Sequence, residues 1–196
     1  MPALESAALE NLFNVPRTVN HFTDRQVSDE TLKAIVDLTK MGPTAFNSQP
    51  LRITWLRSAE ARERLIPAMV EANQDKTRKA PVTAVLSFDK SWSARFPEFN
   101  ARAADPMQGV FDGNDNLRHS VGRDNAHLQA GYFITAIRAL GLAAGPMTGA
   151  DFAKITEEFY PAGDRQAFLV VNLGYGIEPD YARNPRFTFE DTTETL

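Results

Sequence analysis

Pro81-Val82-Thr83-Ala84-Val85-Leu86-Ser87-Phe88 is the stretch on which the fold turns. Val82, Ala84, Val85, Leu86 and Phe88 form a nearly continuous apolar run, the pattern of a strand buried on both faces. Two companions flank it in sequence. Leu51 to Leu56 alternates as a strand does, and Ala167-Phe-Leu-Val-Val-Asn-Leu173 is a second buried run, ended by Gly174-Tyr175-Gly176. Helical patterns lie between them, so strands and helices mix in one α+β layer arrangement spanning residues 1–196 as a single domain.

The helical segments carry their own punctuation. Leu4 to Phe13 reads as a short helix with Leu9, Leu12 and Phe13 on one side, and Val15 to Gln26 as an ordered loop. Ser28 offers an N-cap to a helix whose buried stripe is Leu32, Ile35, Val36 and Leu38, stopped by Gly42-Pro43. Ser58 opens a charged helix to about Ala72. Residues 89–116 interleave Trp92, Phe96, Phe99 and Phe111 with Pro, Gly, Asn and Asp, which predicts an irregular excursion or lid with an exposed tip over Phe111 to Asn116. From Leu117 a long helix extends to Leu140, apolar or small on most faces of its second half and therefore buried by the core and by a second subunit. Gly141 to Gly149 reads as a turn region, and Asp151 caps a helix to about Phe159. In the tail from Pro179 to Leu196, Phe187-Thr188-Phe189 alternates and could add a strand to a neighbouring sheet.

Bulk properties remove several classes of function. The 196 residues are 43% hydrophobic and 10% aromatic, enough for a real core, and the net charge of −4 argues against a general affinity for nucleic acid or anionic membranes. There are no cysteines, hence no disulfide, thiolate metal site or thiol nucleophile. The N-terminal residues show no basic segment followed by an apolar stretch, and the longest uncharged runs, Ala139 to Ala150 and Gln166 to Ile177, are too short to cross a bilayer. A cytoplasmic protein is the expectation. Neither Gly-x-Gly-x-x-Gly after a strand nor a P-loop motif is present, and there is no Gly-x-Ser-x-Gly elbow. His21, His119 and His127 fall in no ligand spacing and read as surface or structural side chains.

Four polar and glycine-rich segments remain. In Pro16-Arg17-Thr18-Val19-Asn20-His21-Phe22, Arg17 can meet a phosphate bidentately with Thr18 and Asn20 beside it, although a solvated loop would have the same composition. Gly42-Pro43-Thr44-Ala45-Phe46-Asn47-Ser48-Gln49-Pro50 packs amides and hydroxyls between two prolines, suited to a planar heteroaromatic ligand, or simply to joining a helix to a strand. Asn73-Gln74-Asp75-Lys76, placed just past a helix end, offers an amide for a ring edge and a cation to balance a reduced cofactor; a solvated lysine is the plain alternative. Gly145-Pro146-Met147-Thr148-Gly149 lets backbone N–H groups come close to a ligand, or serves only as a connection.

Taken in order and spacing, these segments resemble the nitroreductase family over essentially the whole chain. The carriers are Arg17-Thr18, Gly42 to Pro50, Asn73 with Lys76, Gly145 to Gly149, and Arg183. Within the family the chain is similar to the malonic semialdehyde reductase branch in Arg17-Thr18-x-Asn20, in residues 145–151, in Asn172-Leu-Gly-Tyr-Gly176 and in Ala182-Arg-Asn-Pro-Arg186. The resemblance implies a mixed, largely antiparallel sheet flanked by helices, an intertwined homodimer, and two FMN molecules at the subunit interface. The tail after 180 would reach over the partner.

By the same resemblance, Arg17 and Arg183 hold the FMN phosphate with help from Thr18, while Asn20, Asn73 and Lys76 face the pyrimidine end. Pro43, Thr44, Ala45 and Asn47 come from the other subunit. Pro146, Met147, Thr148 and Gly149 lie along the ring face, with the Thr148 backbone N–H at N5. The implied cycle is ping-pong: NADH or NADPH gives a hydride to N5 and leaves, and the oxidant takes its place. Lys76 near N1 and O2 raises the reduction potential. Two departures bear on the oxidant. Pro16 precedes Arg17 where many members have a second basic residue, and Asn20 stands where lysine or arginine is common. The leading acceptor is a small semialdehyde such as malonic semialdehyde, giving 3-hydroxypropionate. A broad reductase of nitroaromatics, quinones or enones is the alternative, and a non-catalytic flavin-binding dimer is the reading from a different class. No nucleophile-base pair supports a hydrolase.

Overall fold

The computed structural model describes residues 2–196. The chain opens with one turn of helix, α1 (Ser6–Leu9), continuing into a π-helical turn over Glu10–Asn14. Leu9 and Phe13, expected to pack inward, remain exposed on this chain. Helix α2 (Asp29–Thr39) starts where predicted, because the Ser28 hydroxyl accepts from the Thr31 N–H at 3.2 Å. Its buried face is Leu32, Ile35 and Thr39; Val36 and Leu38, read as part of that stripe, are exposed.

Strand β1 (Leu51–Leu56) leads to α3 (Ala59–Leu65), capped by Ser58. The single helix expected to Ala72 is two helices. Pro67 lies in a short 3-10 turn over Ile66–Ala68, Met69 leaves the helix to bridge Ala150, and α4 (Glu71–Arg78) begins anew. Asn73 and Lys76 consequently sit within a helix rather than beyond its end. Strand β2 (Val82–Asp89) follows.

Residues 89–116 are not irregular. They form a 3-10 turn over Trp92–Arg95, then α5 (Phe96–Phe99) and α6 (Ala101–Asp112). The turn-forming composition is overridden by burial. Trp92, Phe96 and Phe111 meet edge to face, with centroid separations of 4.8–5.8 Å, and close a small core of their own with Ala104. Pro97 falls in the first turn of α5, where its missing N–H is harmless. Phe111, assigned to an exposed tip, is 1% exposed.

Helix α7 (Asp115–Ala139) starts two residues earlier than predicted, capped by Asn114. Only one side of it is buried by this chain, through Ala126, Ala130, Phe133, Ala136 and Ile137, while Leu128, Tyr132 and Leu140 stay exposed. The next segment, read as a turn, is strand β3 (Ala143–Met147), and α8 (Phe152–Phe159) follows with the predicted Asp151 cap. Pro146 is tolerated in β3 because that strand is a sheet edge, where one row of backbone groups is unpaired. Strand β4 (Arg165–Gly174) ends the sheet. The tail forms no strand with its own chain; it ends in α9 (Phe189–Thr192), with a Thr188–Asp191 capping box and Phe187 85% exposed.

The four strands pair antiparallel throughout in the order β1-β2-β4-β3. Period-two alternation sorts the central strands onto two cores. Val82, Ala84 and Leu86 of β2, with Val171 and Leu173 of β4, pack against Leu32 and Ile35 of α2 and Phe133 and Ile137 of α7. Val85 and Val170 face the other way, onto Leu65 of α3 and Ile155 of α8. Among the described residues no helix is long and apolar enough to cross a membrane.

The aromatic core of residues 92–112 is separate from both sheet cores, so it should fail by itself. Phe111→Ala removes a fully buried ring and is expected to lower the local stability of α5 and α6 by about 3–5 kcal/mol. Hydrogen exchange should speed up over residues 92–112 while amides of β2 and β4 keep their protection; equal loss in the sheet would show that the segment is not a separate unit.

Candidate functional site

The segment from Arg17 to Asn20 runs beside β3 so closely that only glycine fits under it. A Cβ on Gly145 would come 2.8 Å from the Val19 carbonyl oxygen, and one on Gly176 would reach 3.2 Å from the Val19 methyls. Val19 is thereby pinned and buried, and its neighbours Thr18 and Asn20 are turned outward. The ends of the segment define two groups of residues, no more than about 11 Å apart along the backbone.

At the Asn20 end, α4 meets the loop after β3. The Asn73 side chain is buried and donates to the Gly149 carbonyl at 3.0 Å. A Cβ at Gly149 would stand 2.7 Å from the Asn73 amide nitrogen, so this approach also requires glycine. Lys76 reaches Asn20 Oδ1 at 3.4 Å and has no carboxylate within ion-pair distance among the described residues. Beneath them, Asn172 of β4 is 1% exposed and accepts from Thr83 Oγ1 at 2.7 Å while donating to the Lys76 carbonyl at 3.3 Å. A buried amide thus seats α4 on the sheet. The Thr148 and Gly149 backbone N–H groups donate to no backbone acceptor among the described residues, and Thr148 is exposed.

At the Arg17 end, two distant stretches clasp each other. Arg17 donates to the Tyr181 and Ala182 carbonyls at 3.0 and 3.2 Å, and its guanidinium lies 5.1 Å from the Tyr181 ring centroid. Arg183 donates in return to the Asn14 and Pro16 carbonyls at 2.5 and 2.8 Å. Carbonyl oxygens satisfy N–H groups without neutralising charge, so both cations keep theirs. Beside them opens a cleft of about 350 Å³ lined by Arg17, Val19, Arg138, Leu142 and Glu178 among others. Burial, and secondly the Arg183 charge, hold the Arg138 guanidinium below its ordinary range.

The sequence-predicted residues therefore fall into three sets. Arg17, Arg183 and Thr18 share one end; Asn20, Asn73, Lys76, Thr148 and Gly149 share the other. Met147, expected along a ring face, points inward instead: it is 6% exposed, with its sulfur 4.0 Å from Thr77 Oγ1. Its neighbour Pro146 is half-buried.

Pro43, Thr44, Ala45 and Asn47 lie elsewhere, leading into β1 at the opposite edge of the sheet. The Ala45 N–H is held by Asn125 Oδ1 of α7 at 2.7 Å. Asn47 donates to the Phe99 carbonyl at 3.0 Å, and Asn100 donates back to the Phe46 carbonyl at 3.0 Å. Phe46, Asn47 and Gln49 have φ values of 57°, 55° and 42°, the only non-glycine residues in that region among those described. Ser48 Oγ is buried without a partner. Strain and an unmet hydroxyl in one loop mark it as held for a purpose other than connection. Pro43, Ala45 and Asn47 are exposed, although the Asn47 amide is held by its own chain.

Sequence reasoning missed Arg138, which reads there as an ordinary basic residue in the last turn of a helix. It also missed Asn125, the side chain that anchors the loop, for which no local pattern exists. His119 is engaged with Gln166 Oε1 at 3.0 Å and His127 with the Arg123 carbonyl at 2.8 Å. No cluster of metal-ligating side chains occurs among the described residues.

Comparison with known proteins places the chain in a family. Residues 17–175 match the model of the nitroreductase family. A provisionally named NADH dehydrogenase/NAD(P)H nitroreductase of Streptomyces coelicolor is 44% identical over 194 residues, covering 98% of each chain. A relative of the same provisional name from Ralstonia nicotianae is 40% identical over the whole of both chains. Among solved structures, a provisionally named nitroreductase from Exiguobacterium sibiricum in complex with FMN superposes with a TM-score of 0.86 at 18% identity, covering 100% of this chain and 99% of that one. The matched segment begins at Arg17 and ends at Tyr175, enclosing both ends of the site except the Arg183 clasp, and the chain belongs to the nitroreductase family.

Proposed function

We propose that the protein is an FMN-dependent NAD(P)H oxidoreductase that works as a homodimer with a flavin in each of two interface clefts. The observation that carries this reading is the pairing of uncompensated cations with an amide-rich turn at the two ends of residues 17–20. A dianionic phosphate suits Arg17 and Arg183, which form no ion pair with a carboxylate among the described residues. A heteroaromatic ring with alternating donors and acceptors suits Asn20, Lys76 and the free Thr148 and Gly149 amides. The full-length relatives named for NAD(P)H-dependent nitro reduction support the same assignment.

Bound FMN supplies hydride transfer between the nicotinamide and an acceptor. The chain's own contribution is position and charge. Lys76 holds positive charge at the pyrimidine edge, kept in place by Asn20 and by the Asn172 bond to its carbonyl. The Thr148 N–H, which meets no backbone acceptor among the described residues, would be available to hold the flavin at N5. Asn73 fixes the Gly149 carbonyl and so aims that turn. Pro43, Thr44, Ala45 and Asn47 serve the partner's flavin, since the sheet separates them from the other two sets in one subunit by about 14 Å of strand spacing. The exposed apolar side chains of α7 and the tail, Leu128, Tyr132, Leu140, Phe187 and Phe189, are the surface a second subunit covers.

For the acceptor, Arg17-Thr18-x-Asn20 and the 145–151 segment favour a small semialdehyde such as malonic semialdehyde. The names of the relatives favour a nitro compound instead. Purified dimer reconstituted with FMN should bleach on anaerobic addition of NADH or NADPH and recover its colour with a semialdehyde; recovery only with nitroaromatics, quinones or enones would select the second reading, and flavin that binds but never bleaches would make it a binding protein. Lys76→Met should retain FMN but lower its midpoint potential by about 30 mV, the equivalent of ~1.4 kcal/mol in a two-electron couple, as spectroelectrochemistry would read. An unchanged potential would remove Lys76 from the pyrimidine edge.

A further inference from the structure

We propose that Arg138, in the last turn of α7, is a third phosphate-binding guanidinium that selects FMN over flavins lacking the phosphate. The inference rests on the flavin reading above and adds to it a residue that no motif of the chain singled out.

Three observations converge on Arg138. It lines the same cleft as Arg17, and Arg183 is near enough for its charge to act on it. Two guanidiniums, Arg17 and Arg138, line the cleft, and the charge of a third, Arg183, acts on Arg138 from beside it. Unlike the other two, Arg138 spends none of its N–H groups on a protein carbonyl or carboxylate among the described residues; the influences on it are burial and the like charge of Arg183, both unfavourable to a cation. The Glu178 carboxylate also lines the cleft, but it is exposed and forms no ion pair with any of the three among the described residues. A half-buried cation kept beside another, with none of its donors met by the protein among the described residues, would be stabilised by an anion in the cleft. The favourable helix C-terminus at which it sits offsets part of that burden, not the whole.

The size and chemistry of the space fit a tetrahedral dianion. About 350 Å³ accepts a phosphate ester and the start of its chain. Arg17 lines the cleft and is tied to Arg183 through their reciprocal backbone bonds, in which Arg183 uses only one of its terminal nitrogens. Arg138 approaches from a different element, the rigid end of a 25-residue helix, so its contribution does not depend on the clasp.

Binding of FMN and of riboflavin to the full-length apoprotein, followed by quenching of flavin fluorescence, tests this directly. Arg138→Gln should weaken FMN at least tenfold and leave riboflavin within twofold, because riboflavin uses only the ring end of the site. Arg138→Lys, which keeps the charge but not the fork, should fall between wild type and Arg138→Gln for FMN. Equal weakening of both flavins would mean a structural role, and unchanged FMN affinity would mean none; either overturns the proposal while leaving the flavin reading intact. Wild-type protein that binds neither flavin would overturn both.

Discussion

β2 and β4 lie side by side with both faces covered, α2 and α7 on one and α3 and α8 on the other. A sheet buried in this way cannot curl to bring its edges together, and its two edge strands are β1 and β3. The residues that read as ligand-binding are divided between those edges. Segment 17–20 and the turn at 148–149 border β3, while the strained loop 43–49 enters β1. On the proposed dimeric reading, each subunit would carry half of two sites. The same constraint accounts for Pro43 and Ala45 being exposed on a loop that their own chain holds through Asn47, Asn100 and Asn125.

How that loop is held has its own consequence. Its strain is supported by Asn125 of α7 and by the reciprocal bonds of Asn47 and Asn100, with Phe46 resting on Phe96 and Phe111 at centroid distances of 6.1 and 5.9 Å. Loop and aromatic unit are therefore one mechanical object. Any displacement of α5 and α6 would be felt at the loop. The segment read as a lid is in this sense also a support.

Much of the architecture was legible because burial on both faces leaves an unmistakable apolar run. β2 and β4 could be read from Val82 to Phe88 and from Ala167 to Leu173, and the caps Ser28, Ser58 and Asp151 fixed their helices. β3 was hidden since an edge strand tolerates the Gly145-Pro146 pair that elsewhere signals a turn. Residues 92–112 were hidden because their helices are held by aromatic contacts across 20 positions, which no local window weighs against Pro97, Asn100 and Pro106. α4 was misplaced by one proline: the break at Pro67 restarts the helix and moves Asn73 and Lys76 from its end into its body.

For the site, the resemblance supplied what spacing could not. Nothing local joins Arg17 to Arg183, yet each guanidinium is tied to the backbone beside the other. Such a clasp is costly to order unless charge is satisfied as well, because carbonyls share a guanidinium's protons but leave its charge unscreened in a half-closed cleft. Arg138 makes that imbalance larger. Three cations without a counter-ion would repel if the cleft were meant to stay empty, so the arrangement makes physical sense as a site whose final component is an anion. The C-terminal tail, anchored at Arg183, is then fastened in part by the ligand, and flavin binding and tail order become one linked equilibrium.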